Sequence, residues 1–119
     1  MIKTLDDFQV YQLAMELGEE IWQIVIKWDY FCKDTVGRQL VKAADSISSN
    51  LSEGLGRYHY RETRNFSYYS RGSLFETKTW LTKSYNRSLI TGDQLSTFLK
   101  KLDSIGIKIN NYIKTLGND

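Results

Sequence analysis

Four stretches of the chain repeat apolar residues at intervals of three and four, the spacing that gathers side chains on one face of an α-helix. In the first, Tyr11, Ala14, Gly18, Ile21, Val25 and Trp28 share a face, and Val10, Leu13, Leu17 and Ile24 widen it. Asp6 with Gln9 has the form of a capping box at its start. The second stretch predicts a helix that opens near Thr35 and buries Val36, Leu40, Ala43, Ala44, Ile47 and Leu51. Gly54 and Gly56 are expected to end it, because glycine accepts the left-handed conformation of a helix terminus. The third stretch predicts a buried row of Phe66, Tyr69, Ser73, Thr77, Trp80 and Ser84, small and polar for a core. Gly72 and Ser73 would let another helix come close, offsetting the roughly 1 kcal/mol that glycine costs a helix interior. Thr91 and Gln94 then form a capping box for the fourth helix. Its stripe is Leu95, Phe98, Leu102, Ile105, Ile109, Tyr112 and Leu116. No run alternates with period two. The reading is an all-α, antiparallel up-down-up-down four-helix bundle. A single domain is expected over 1–119, with helices near 6–28, 35–53, 60–88 and 92–116.

Composition supports long helices and narrows the chemistry. The 119 residues include no proline, so nothing of that kind interrupts a helix. The lone cysteine, Cys32, reads as a small apolar residue near a helix end and fits a reducing cytoplasm. Asp6 and Asp7 stand where a secretory leader would be apolar. The cluster "IWQIVIKW" is broken by Gln23 and Lys27 and is too short to span a bilayer. A soluble cytoplasmic protein is the expectation. His59 is the single histidine and has no partner base or nucleophile in view; no cysteine, histidine and carboxylate spacing suits a metal. Glu53 and Glu62 read as partners of arginines. No catalytic residue, metal or cofactor is therefore assigned.

Charge is distributed unevenly. Between Leu55 and Thr91 seven basic residues stand against two acids, a net of +5 in a chain whose total is +2. Arg57, Arg61, Arg64, Tyr68, Arg71, Phe75 and Lys78 follow one another at intervals of four and three, which puts five cations and two aromatics on one stripe of the third helix. With Phe66, Ser73 and Trp80 opposite, the stripe is expected to face away from the core. Three readings fit it. A solvated face keeps a helix soluble, although solvated faces normally mix signs. A subunit interface draws on arginine and exposed aromatics, and the acidic Glu16, Glu19 and Glu20 of the first helix would complement it. A nucleic-acid surface uses arginine forks for phosphate and stacks Tyr68 and Phe75 on unpaired bases. The "GLG" of Gly54 to Gly56 lacks the spacing of a nucleotide-binding loop and follows no strand.

Several segments resemble a known family. "LDDFQVYQLAMELGEEIW" is similar to its opening pattern F..L.VWQ.A..L...IY, and "QLVKAADSISSNLSEGLGR" to its central Q..RAA.SI.SN.AEG.GR. "RGSLFETKT" and "SYNRSLITGDQL" stand where the family has RGSL.E..T and its A..L.YI connection. This is the family of 23S rRNA intervening-sequence proteins, and the chain is also similar to the accessory variability determinant of diversity-generating retroelements. The resemblance covers nearly the whole chain and implies a left-handed bundle assembled as a homopentamer, with a basic surface for nucleic acid. By position it marks Asn50, Glu53, Gly54, Gly56, Arg57, Gly72, Ser73 and Glu76. Those residues would be mainly structural, the glycines shaping the turn and Asn50 and Glu53 bonding to it. Ser48 stands where proline is common, and Ser67 and Ser70 replace more apolar residues. The expectation is a non-enzymatic oligomer that binds RNA, or other nucleic acid, mostly through phosphate. The alternative is an adaptor whose third helix meets a protein, such as a reverse transcriptase, or its own neighbour.

Overall fold

The computed structural model of the chain describes residues 2–117. Four helices make up the bundle: α1 (Gln9–Val25), α2 (Arg38–Leu55), α3 (Tyr60–Asn86) and α4 (Gly92–Thr115), with no strand among the described residues. Cross-helix pairs fix how they run. A Cβ on Gly18 would lie 2.9 Å from Asp45, and one on Gly37 would lie 2.7 Å from Val25. Thr63 and Ser70 bond back to Gly54 and Ile47, and Arg71 and Lys78 bond forward to Asn110 and Asp103. In each set one residue number rises as its partner falls, so successive helices are antiparallel. α4 returns to the start of the chain, where the Phe8 and Tyr112 rings lie 4.6 Å apart. Lys101 donates to Glu20 along the same seam at 2.6 Å. The result is a rod of 47 × 23 × 21 Å.

Helix ends depart from the expected signals in three places. Asp6 and Gln9 form no capping box. Instead a 3₁₀ turn, Leu5–Asp7, is capped by Thr4, and Gln12 donates to the Leu5 carbonyl at 3.1 Å. Helical structure after α1 begins at Tyr30, ahead of Thr35: Asp29 accepts from the Cys32 amide at 2.9 Å and starts a turn, Tyr30–Cys32. A π-helical segment, Lys33–Gly37, joins that turn to α2. Neither Gly54 nor Gly56 is left-handed. Gly54 is buried inside the last turn of α2, where a Cβ would meet Phe66 Cβ at 2.9 Å and the Thr63 carbonyl at 3.1 Å. Close packing is what requires glycine there. Ser88 takes the left-handed cap, at φ 62°, after α3. The Thr91–Gln94 box is present in both directions, at 2.8 and 3.1 Å.

The core comes from all four helices. α1 buries Val10, Ala14, Leu17, Gly18, Ile21 and Val25, drawn from both of its apolar rows. α2 buries Leu40, Ala43, Ala44, Ile47 and Leu51 of the expected row together with Ser48, and Val36 is buried in the segment just before it. α4 buries Phe98 to Tyr112 of its stripe and leaves Leu95 and Leu116 half-buried. α3 differs from its expected row by about one residue. Thr63, Ser67, Ser70, Leu74, Thr77, Leu81 and Ser84 point inward, while Phe66, Ser73 and Trp80 are half-buried and Tyr69 is 58% exposed. The rotation works because each inward hydroxyl finds a carbonyl. Ser67 donates to Thr63, Thr77 to Ser73 and Ser84 to Trp80, each one turn back. Ser70 reaches across to Ile47 at 2.7 Å. A satisfied hydroxyl contributes about 1 kcal/mol net and avoids the larger loss of a buried orphan.

Candidate nucleic-acid interface

Turning α3 by one residue brings three cations of the basic stripe to the seam with α4, a correction to their expected outward orientation, while Arg57, Arg61, Tyr68 and Phe75 stay exposed. Arg64, Arg71 and Lys78 are half-buried, and each reaches a different acceptor on the neighbouring chain segment. Arg64 donates to the Gly117 carbonyl, Arg71 to Asn110 Oδ1 at 2.9 Å, and Lys78 to Asp103 Oδ1 at 2.6 Å. The three cations are seven residues apart, and so are their acceptors: Asn110 and Asp103 are met in register two turns apart on α4, and Gly117 lies just past its end. Successive cations are therefore about 10 Å apart along the rod.

The aromatics of the stripe organise the cations. Arg71 stacks over Tyr68 at 5.1 Å and Lys78 over Phe75 at 5.2 Å, each ring three residues before its cation. Such a contact contributes about 0.5–1 kcal/mol at an exposed site and restrains a flexible head group. Tyr68 and Phe75 both remain exposed. Gly72, between them, has no atom within 4 Å of where a Cβ would sit, so within the chain it admits no close helix contact.

Charge compensation divides the stripe. Arg57 lies between Glu53 at 2.7 Å and Glu62 at 3.6 Å and also covers the Phe66 ring, so its charge is balanced in place. Lys78 is balanced by Asp103. Arg64 and Arg71 are held by a carbonyl and an amide, which orient a guanidinium without neutralising it. Among the described residues neither has a carboxylate partner. Arg61 is exposed in the first turn of α3. On α4, Lys114 shares the edge of Asn110 by helical spacing and adds a cation to that side of the seam. The sequence signal for Lys114 and Asn110 appears only once α3 and α4 are aligned antiparallel.

The remaining motif residues are structural in placement. Asn50 bonds one turn back to the Ser46 carbonyl at 2.8 Å and not to the glycine turn; Glu53 does engage that turn, through Arg57. Ser73 supplies a carbonyl to Thr77, and Glu76 is exposed. His59 is the N-cap residue of α3, its ring edge-on to Tyr58 at 4.8 Å. Cys32 is half-buried, and burial with the nearby Asp29 pushes its thiol up from the ordinary range. Among the described residues no three His, Cys, Asp or Glu side chains gather as a metal site, and no helix is long and apolar enough to cross a membrane.

Comparison with known proteins agrees with this architecture. No protein of curated function matches the chain in sequence. A crystal structure of a protein of unknown function from the S23 ribosomal protein family of Bacteroides thetaiotaomicron VPI-5482 superposes with a TM-score of 0.79. It is 19% identical, and the match covers 89% of this chain and 99% of that one, so the shared fold spans the bundle. The sequence pattern of the 23S rRNA-intervening sequence proteins matches residues 6–111, and the chain belongs to that family.

Proposed function

We propose that the chain binds nucleic acid, RNA in the first instance, without catalysis, through the α3–α4 seam centred on Arg64 and Arg71. The observation that carries this is the pairing of both guanidiniums with neutral acceptors, which leaves two oriented positive charges available to phosphate. Tyr68, restrained by Arg71, and Phe75 offer ring faces to unpaired bases. Lys114 extends the positive field, while Arg57 and Lys78 shape the ends. The family's name, which refers to ribosomal RNA, supports RNA as the polymer. Contacts of this kind are mostly to backbone, so they position the polymer more than they read its sequence.

Gel shift of a structured RNA at moderate salt tests the reading. Arg64→Glu with Arg71→Glu is expected to abolish the shift, and Arg71→Gln to weaken it and lower the log–log salt slope by about one. Unchanged binding by the double variant would remove the seam as the binding surface.

A second reading follows from the outward face of α3, where Gly72 is open and Tyr69 and Phe75 are 58% and 59% exposed. That face suits contact with another copy of the chain, and the family resemblance points to a homopentamer. Light scattering of Gly72→Glu against the unmodified chain separates assembly from RNA binding.

A further inference from the structure

The opposite side of the bundle carries a groove that the stripe does not explain. Where α1 runs into α2, a cleft of about 290 Å³ has an apolar floor of Trp22, Val25, Ile26 and Val41. Its rim is Lys33, Arg38 and Lys42. Beside it, on the single turn that precedes the π-helical segment, Tyr30 and Phe31 are 77% and 73% exposed.

The local backbone creates this arrangement. Gly37 brings α2 against α1, since any side chain there would strike Val25. The π-helical segment widens one turn, so Gly37 is buried toward α1 while Arg38 stands on the rim one wide turn after Lys33. Lys42 follows one ordinary turn later. π-helical turns are uncommon and recur at functional sites. This one aligns three cations along one edge of an apolar floor.

The charges around the groove differ in what they already hold. Arg38 has its own carboxylate, Asp34. Asp29 is committed to the Cys32 amide. Among the described residues Lys33 and Lys42 have no carboxylate partner. Asp45, with Glu19 near it, lies one turn beyond Lys42 and marks where the positive edge ends.

We infer that this groove seats an acidic amphipathic α-helix of a partner protein. Apolar side chains of that helix fill the floor, and its glutamates or aspartates face Lys33 and Lys42, with Arg38 between them already held by Asp34. Charge complementarity along a single edge, with aromatic anchors beside an apolar trough, is the helix-in-groove mode of recognition. A polyanion fits less well, since it offers no apolar side chains to the floor of Trp22, Val25, Ile26 and Val41, and an anionic membrane is separated by the vesicle arm of the test below.

Fluorescence anisotropy with two labelled helical peptides tests the inference on the full chain. Both carry the same leucine and phenylalanine stripe, one with glutamates on the flanks and the other with lysines. The acidic peptide is expected to bind roughly tenfold more tightly than the basic one, as two exposed ion pairs would give. Lys33→Glu with Lys42→Glu reverses that order, and Trp22→Ala weakens both peptides. The two lysines are exposed, so the double variant retains the fold and decides the matter even if Trp22→Ala destabilises the protein. Equal binding of the two peptides, or no binding of the acidic one, overturns the inference. So does a fall in molar mass of the double variant in light scattering, which would assign the groove to a second copy. Binding only to phosphatidylserine vesicles would overturn it in favour of a membrane. RNA gel shift is expected to be unchanged by the double variant, which keeps this result separate from that for the seam.

Discussion

Where α1 meets α4, Leu13, Leu17 and Ile105 line the contact and the ring of Phe8 packs on that of Tyr112. Where α2 meets α3, the contact is made by Gly54, Thr63 and Ser70, with hydroxyls bonded to the carbonyls of the facing helix. The first seam gains stability from apolar area removed from water. The second gains it from proximity, since side chains of one or two heavy atoms let backbones approach and bring dispersion contacts and cross-helix hydrogen bonds with them. A small polar core is thus a close-packed core, provided that each hydroxyl has an acceptor.

Four substitutions sharpen or break that contrast. The largest effect is expected for Phe8→Ala, which leaves a cavity at the apolar seam and should cost about 3–5 kcal/mol in urea unfolding. A loss below 1 kcal/mol would mean that the seam collapses freely and that the contrast is overstated. Gly54→Val tests proximity: its side chain would run into Phe66 and the Thr63 backbone, at a cost of about 1–3 kcal/mol. Ser70→Ala removes one cross-helix bond without altering shape and should cost about 1 kcal/mol, so it is expected to lie clearly below Gly54→Val. If Ser70→Leu were tolerated, the close approach of α2 and α3 would be refuted.

The smallest effect concerns Asp45, on the α1–α2 side. Burial, and then the like charge of Glu19, raise its carboxyl above the ordinary carboxylate range. A group with a raised folded pKa contributes stability that is complete below its unfolded pKa and is lost as pH rises through its folded value. Asp45→Asn should therefore be slightly more stable than the unmodified chain near neutral pH, by under about 0.5 kcal/mol. The gain should fade as pH falls through the carboxylate range, which thermal melts at stepped pH would show.

The same contrast explains what the sequence revealed. α4 and α2 were legible because Leu, Ile and Phe recur along one face; the Thr91–Gln94 box was legible because its residue types have one local use. α3 misled by one residue because its largest apolar side chains, Phe66, Tyr69 and Trp80, flank the buried line, while serines and threonines occupy it. Hydrophobicity cannot point to a seryl core; the carbonyls that satisfy it, one turn back on α3 or across on α2, can. The stripe was legible as a spacing along one helix, but whether each charge is balanced depended on Asp103, Asn110 and Gly117, which lie far along the chain. The π-helical segment had no signal in the periodicity, since one wide turn simply shifts the phase.

The seam between α1 and α4 also bears on the order of events in folding. The other principal pairings, α1 with α2, α2 with α3 and α3 with α4, join helices that follow one another, so their loops are short and cheap to close. Docking Phe8 on Tyr112 must bridge the length of α2 and α3, so by loop-closure entropy that long-range step is expected to come last. A chain without proline has no slow isomerisation to wait for, so collapse should run at the pace set by helix docking alone.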